Sequence, residues 1–356
     1  MNYSIFFKFI LIVHFKCLFG LINLNRTILN EWGFSFNSLI IDLKFKNITH
    51  IDSNTFNNLK CTKLKINGNH ITKIDSETFK RVKSIKELDL HRNLLESVNS
   101  STFEGLENLI YLDLYLNRIK LIDKNTFNNI SKLQYLSLDF NYVHYLHPDT
   151  FNGLVNLLIL RLSNLSLTSL NSNTFNDLKS LNKLWLNNNL LTSLEPGTFS
   201  KLKNLKYLNL IGNQIKNLEI NTFEGRIKLL VLELNNNKLT TIDYAAFNHL
   251  INLEQLRLNN NQLTRLYALT FKSLKKLKEL YLNNNRLQRI DSRISIFTGL
   301  NDLNYLNLES NSISYFRNDS LEDLNNLKQL CLYDNEIGER ISIITNADCI
   351  AKFTKC

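Results

Sequence analysis

Asparagine returns at a fixed interval through most of this chain. It stands at Asn69, Asn93, Asn117 and Asn141, and again at Asn189, Asn213, Asn237, Asn261 and Asn285, 24 residues apart within each run. Leu165 breaks the series. Asn311 and Asn335 extend it after an insertion of two residues between Ile290 and Phe297, and Lys46 holds the same place 23 residues before Asn69. Phenylalanine keeps the same phase at Phe56, Phe79, Phe103, Phe127, Phe151, Phe175, Phe199, Phe223, Phe247, Phe271 and Phe297, with Leu321 in the last turn. A fixed period of this length indicates stacked supersecondary units. It overrules the two ordinary domains that 356 residues would suggest.

Each unit reads Leu-x-x-Leu-x-Leu-x-x-Asn-x-Leu, followed by a polar stretch with Thr-Phe. Leu202, Leu205, Leu208, Leu210, Asn213 and Ile215 show it. The Leu208-x-Leu210 alternation predicts a short strand with both leucines on one face and the residue between them on the other. Stacked units pair these strands in parallel, with a row of phenylalanines behind the leucine layers. The chain turns sharply after the strand and leaves backbone groups without partners. An asparagine amide donates and accepts at once, so a column of asparagines satisfies the turns of neighbouring units. Leu165 has no such group, which predicts a local irregularity in the sixth unit with Asn164 as the substitute.

These motifs resemble the leucine-rich-repeat family in its 24-residue extracellular subtype, the one found in Toll-like receptor, slit and chaoptin ectodomains and in secreted arthropod proteins. Leu194-Glu195-Pro196-Gly197-Thr198-Phe199 through Asn213 is similar to the consensus of that subtype. The resemblance covers residues 39–335 and implies an α/β solenoid, a horseshoe whose concave face is a parallel sheet of about thirteen short strands.

The ends divide as follows. Residues 1–20 read as a signal peptide, apolar from Ile5 to Gly20 but interrupted by Lys8, His14 and Lys16. Residues 21–38 form an N-terminal cap without cysteine, expected to pack through Trp32, Phe34 and Phe36. The solenoid occupies 39–335, and 336–356 form a C-terminal cap with cysteines. Cys349–Cys356 is the expected bridge. Cys331 has either tail cysteine or a second chain open to it, the latter making a covalent homodimer. Cys61 replaces a repeat leucine and is expected to be a buried free thiol. Sequons begin at Asn25, Asn47, Asn99, Asn129, Asn164 and Asn318. No stretch after the first twenty residues is apolar enough to span a bilayer. An extracellular, secreted product is the expectation.

No nucleophile, phosphate-loop or metalloprotease motif occurs, and no enzyme and no cofactor are expected. His144 and His147, and the group Asp89, His91 and Asp113, fall short of the ligand count of a zinc site, so no metal is expected either. The strand-face positions instead gather aromatic and charged residues: Tyr111, Asp113, Tyr115, Tyr135, Asp139, Phe140, Arg161, Trp185 and Tyr207. Tyr, Trp and Arg dominate binding hot spots. The first reading is therefore a secreted recognition protein with a protein ligand on its concave face, serving adhesion, immunity or ligand carriage. A net charge of +10, with Arg257, Arg265, Lys272, Lys275, Lys276, Lys278, Arg286, Arg289 and Arg293 close in sequence, supports a second. This is a matrix protein that binds anionic polysaccharide. An intracellular scaffold is the third.

Overall fold

The computed structural model describes residues 20–225, 228–290, 296–316 and 320–337. The readings made for residues 1–19, for Arg293, Asn318, Cys349 and Cys356, and for nearly all of 336–356 lie outside these residues. Thirteen short strands make one parallel sheet in chain order, as the repeat predicts. The fold is an α/β solenoid with a single short helix among the described residues.

The chain falls into two compact units. The first runs to Val143 and includes Asp149–Leu157; the second comprises His144–Pro148 and the chain from Leu158 onward. In the first unit the strands are Ile40–Asp42, Lys63–Lys65, Glu87–Asp89, Tyr111–Asp113 and Tyr135–Ser137. Their middle residues stand in register, Ile41 beside Leu64, Leu64 beside Leu88, Leu88 beside Leu112 and Leu112 beside Leu136. The second unit repeats the pattern with Ile159–Arg161, Lys183–Trp185, Tyr207–Asn209, Val231–Glu233, Gln255–Arg257, Glu279–Tyr281, Tyr305–Asn307 and Gln329–Cys331. Every middle residue is an aliphatic side chain turned into the core. The period of two then turns its neighbours toward solvent.

Behind the strands the phenylalanines of the repeat are all fully buried. Within each unit most consecutive rings stack, Phe103 on Phe127 at 5.9 Å between centroids, Phe199 on Phe223 and Phe223 on Phe247 at 6.1 Å. Cys61 is buried and free, and burial pushes its thiol up to about 11. Cys331 is buried and disulfide-bonded, its partner outside the described residues. Neither offers an exposed thiol for a covalent dimer.

The asparagine column works as its chemistry requires. Asn237 Nδ2 donates to the carbonyls of Leu210 at 2.9 Å and Leu234 at 3.0 Å, and its Oδ1 accepts from the Ile215 N–H at 3.1 Å. Asn93, Asn117, Asn213, Asn261 and Asn285 repeat this set. Each strand-end carbonyl thereby receives two amide donors, one from its own repeat and one from the next.

The sixth repeat is irregular, but Asn164 does not repair it. Leu165 is buried, and Asn189 of the following repeat accepts from both the Leu165 and Leu167 N–H groups, at 3.2 and 3.0 Å. The first repeat does the same. Lys46 replaces the asparagine, and Asn69 accepts from Lys46 and Ile48. Both gaps place the following residue in the left-handed region, Asn47 at φ 56° and Ser166 at φ 75°. That twist brings a second N–H round to one oxygen, at the strain a non-glycine residue bears there.

The N-terminal cap differs from its expectation. Strand Ile22–Leu24 pairs in parallel with Ile48–Ile51, and helix Arg26–Glu31 follows, capped by Asn25 Oδ1 accepting from the Ile28 N–H at 3.0 Å. Leu24 and Leu29 are its buried residues, while Phe36 is 52% exposed and Trp32 and Phe34 are half-buried. A helix this short turns one side to the core, and its own leucine occupies that side.

Candidate ligand-binding faces

Residues on either side of each buried strand residue lie on the opposite side of the sheet from the core, and most are at least partly exposed, so each unit presents its own candidate face.

In the first unit Tyr111 and Tyr135 lie side by side on neighbouring strands and stack at 4.5 Å. Tyr115 meets Phe140 edge-on at 5.3 Å and His91 at 6.3 Å. Between these aromatic rows stand Asp89 and Asp113, in register with each other. Asp113 Oδ1 accepts from the Tyr115 N–H at 2.9 Å, and its Oδ2 accepts from the Tyr111 hydroxyl at 3.2 Å. Burial raises the carboxyl of Asp113 above its ordinary value, and the charge of Asp89 adds to the rise. Burial, the Asp113 charge and the Tyr135 phenol raise Tyr111 strongly.

Two members of the predicted set stand elsewhere than expected. Asp139 is fully buried and presents no carboxylate to solvent. The chain is already turning two residues past the end of the strand, and Asn67 and Ser163 in the same phase are buried too. Phe140 lies in that turn rather than on a strand, at φ 56° and 45% exposed.

In the second unit the Arg161 guanidinium lies over the Trp185 ring at 5.3 Å, and Trp185 contacts Tyr207 at 5.1 Å. The cluster extends further than the sequence reading took it. The Tyr207 hydroxyl donates to Glu233, and Asn209 donates to that hydroxyl at 3.1 Å. Arg257 reaches Glu233 at 3.7 Å and lies over Tyr281 at 4.9 Å, and Tyr281 meets Tyr305 at 5.0 Å. Burial and hydrogen bonds to Glu233 and Glu279 push Tyr207 and Tyr281 up to about 12. The signal for this extension was in the sequence, since Glu233, Arg257 and Tyr281 occupy the same strand position as Trp185. Ser137, Asn209, Glu233 and Asn307 of that row are buried, because the larger side chains beside them fold across.

The basic residues divide. Arg257 belongs to the strand face, whereas Lys272, Lys275, Lys276, Lys278 and Arg286 are exposed outside the strands. Arg265 and Arg289 lie over Tyr267 and Tyr315 at 4.9 and 4.5 Å. Of the sequon residues described, Asn99 and Asn129 are exposed, and Asn25, Asn47 and Asn164 are half-buried. His144 is exposed and His147 half-buried in a turn. No helix among the described residues is long and apolar enough to cross a membrane.

Models of the leucine-rich repeat match residues 60–215 in overlapping copies, and a model of the BspA-type leucine-rich repeat region matches 192–328. The chain belongs to the leucine-rich-repeat family. No curated protein matches it. Among solved structures this leucine-rich-repeat chain is similar to TLR13 in its complex with ssRNA13, at 28% identity and a TM-score of 0.72. That match covers 83% of this chain and 42% of TLR13, so the chain spans about two fifths of that relative's length. It shares its fold with the Toll of the Drosophila Toll–Spatzle complex at 22% identity and a TM-score of 0.66, covering 87% of this chain and 44% of that one. It also shares it with an internalin of Listeria monocytogenes at 24% identity and a TM-score of 0.63, covering 86% of this chain and 84% of that one.

Proposed function

We propose that the chain is a secreted recognition protein without catalytic activity, binding a protein ligand through the exposed face of its strands in adhesion, immunity or ligand carriage. The Arg161–Trp185–Tyr207 cluster carries this reading. Its rings are held on short strands by mutual contact, so they lose little freedom on binding, and tryptophan, tyrosine and arginine are the residue types enriched in binding hot spots. Tyr111, Tyr115 and Tyr135 offer a second, acidic-aromatic face in the first unit. The Toll–Spatzle complex is a precedent for a protein ligand on this fold.

The test begins with a panel of purified extracellular protein domains against the immobilised chain. For any ligand found, Trp185→Ala is expected to weaken binding by about 2 kcal/mol, roughly thirtyfold, with an unchanged circular dichroism melt. Unchanged affinity removes this cluster from the account. Secretion is read from intact mass after expression in eukaryotic cells. The expected product is in the medium, cut near Gly20 and glycosylated at sequon asparagines, with Cys331 blocked to alkylation. A full-length, unmodified chain inside the cell supports the scaffold reading instead.

One observation favours a second ligand class. Arg265 and Arg289 are braced on tyrosines, and exposed Lys272, Lys275 and Lys276 lie between them in the sequence, a concentration of positive charge that suits an anionic polysaccharide. Salt-dependent retention on heparin, lost when these lysines are neutralised, is the expected result.

A further inference from the structure

The first unit holds a donor set that protein recognition does not explain. Asp89 and Asp113 stand opposite each other on neighbouring strands, and His91 follows Asp89 by two residues. One ligand atom from each of the three lies within 4.8 Å of the other two. Opposed carboxylates on adjacent strands repel. Both are nonetheless pinned in place, Asp89 Oδ1 by the His91 N–H at 3.2 Å and Asp113 by Tyr115 and Tyr111. Lys65 is in register with Asp89 on the other side, with its ammonium group 3.9 Å from Asp42.

The imidazole shows what would relieve the repulsion. His91 Nδ1 sits 2.6 Å from Asp89 Oδ1, on the side of the two carboxylates, and Nε2 sits 3.3 Å from Asn67 Nδ2. Asn67 is only 3% exposed, and its Oδ1 is buried without a partner. The two ends of an amide exchange by a half-turn. Because Oδ1 has no hydrogen bond to lose, the turn exchanges one bond for another, with Oδ1 now accepting from Nε2–H. The Nδ1 lone pair then points at the carboxylates, where a metal ion can take the place of the proton that Nδ1 otherwise shares with Asp89. A histidine that binds metal through one nitrogen and donates its other N–H to a buried oxygen is the usual arrangement around a metal ion.

We propose that Asp89, His91 and Asp113 form a binding site for a divalent transition-metal cation of the zinc class, with Asn67 as the positioning residue behind the imidazole. Two carboxylates and an imidazole suit zinc and manganese better than softer or harder ions. Three protein ligands leave a coordination position open on the solvent side, as catalytic and bridging sites do and structural sites do not. Three ligands are too few for a closed structural site and enough for an open one. The site stands whether or not the aromatic faces bind a protein.

The test is zinc chloride titrated into the untagged full chain in chelator-free buffer, followed by calorimetry. One saturable equivalent is expected. His91→Ala and Asp113→Asn should weaken it about tenfold or more, and Asn67→Ala about tenfold, the effect typical of a group behind the ligand. The double variant His144→Ala, His147→Ala should bind as the parent does. No saturable zinc, an affinity unmoved by His91→Ala and Asp113→Asn, or a loss confined to the His144/His147 variant would overturn the assignment. If the site variants fail to fold, manganese added to the parent chain decides the matter. Paramagnetic broadening centred on the amides of 89, 91 and 113 supports the site, and broadening centred elsewhere refutes it.

Discussion

Asn189→Ala should be more damaging than loss of an ordinary member of the asparagine column, and the reason lies in the gap before it. Truncating an ordinary member such as Asn237 leaves one backbone group bare, the Ile215 N–H. The Leu210 and Leu234 carbonyls keep donors from Asn213 and Asn261. Asn189 has no such cover. Its Oδ1 is the acceptor for both Leu165 and Leu167, and its Nδ2 is the donor to the Leu162 carbonyl, where an asparagine at 165 would otherwise have been the second. Its loss bares three buried groups, sparing only the Leu186 carbonyl, which Asn213 still serves. At about 1–3 kcal/mol for each buried group left unsatisfied, Asn237→Ala costs about 1–3 kcal/mol and Asn189→Ala at least about 2 kcal/mol more. Solenoid stability is a sum of repeat terms, so a local measurement accompanies urea unfolding. Hydrogen exchange by mass spectrometry should accelerate in peptides spanning 162–167 for Asn189→Ala, and near 215 for Asn237→Ala. Equal urea midpoints and equal acceleration at the two sites would refute the reasoning.

The other predictions rest on separate contacts. Cys61 should resist iodoacetamide in the folded chain and react once urea unfolds it, because a buried thiol held up at about 11 forms little thiolate; rapid native labelling would contradict its burial. Tyr207 and Tyr281 keep their protons longer when folded, about 12 against an ordinary 10, so they contribute stability in full below pH 10 and lose it as the pH rises to about 12. Replacing both with Phe should flatten the fall in melting temperature over that window. Gly105→Ala should destabilise the chain by about 2 kcal/mol or more, since Gly105 sits at φ 91° and a Cβ would fall 2.4 Å from the Phe79 carbonyl oxygen. An unchanged melt would mean that the turn relaxes freely.

How much was legible varies by element. The strands were readable at single-residue resolution because period two and period 24 coincide. Once Leu208 and Leu210 point inward, Tyr207 and Asn209 have one direction left. The family was legible for the same reason. The N-terminal cap was not, because no periodicity distinguishes Leu24 and Leu29 from Trp32 and Phe36. The candidate face was legible as a list of positions and only partly as a surface. Asp139 and Arg161 looked alike as exposed charges, yet Asp139 is buried while Arg161 lies half-buried over Trp185.

The repeat by itself determined the parallel sheet, the phenylalanine spine and the buried asparagine column, because each requires only that every unit bury the same positions against identical neighbours. Only the tertiary structure decided how the exceptions are absorbed. Leu165 and Lys46 lack the amide, and the remedy came from the next repeat, Asn189 and Asn69, with a left-handed residue turning each spare N–H toward it. The same holds for Asp89, His91 and Asp113, which the phase of the repeat places near one another. Whether their donor atoms converge depends on rotamers chosen among Tyr111, Tyr115 and Asn67, and side-chain packing between neighbouring turns is information that a one-dimensional period does not contain.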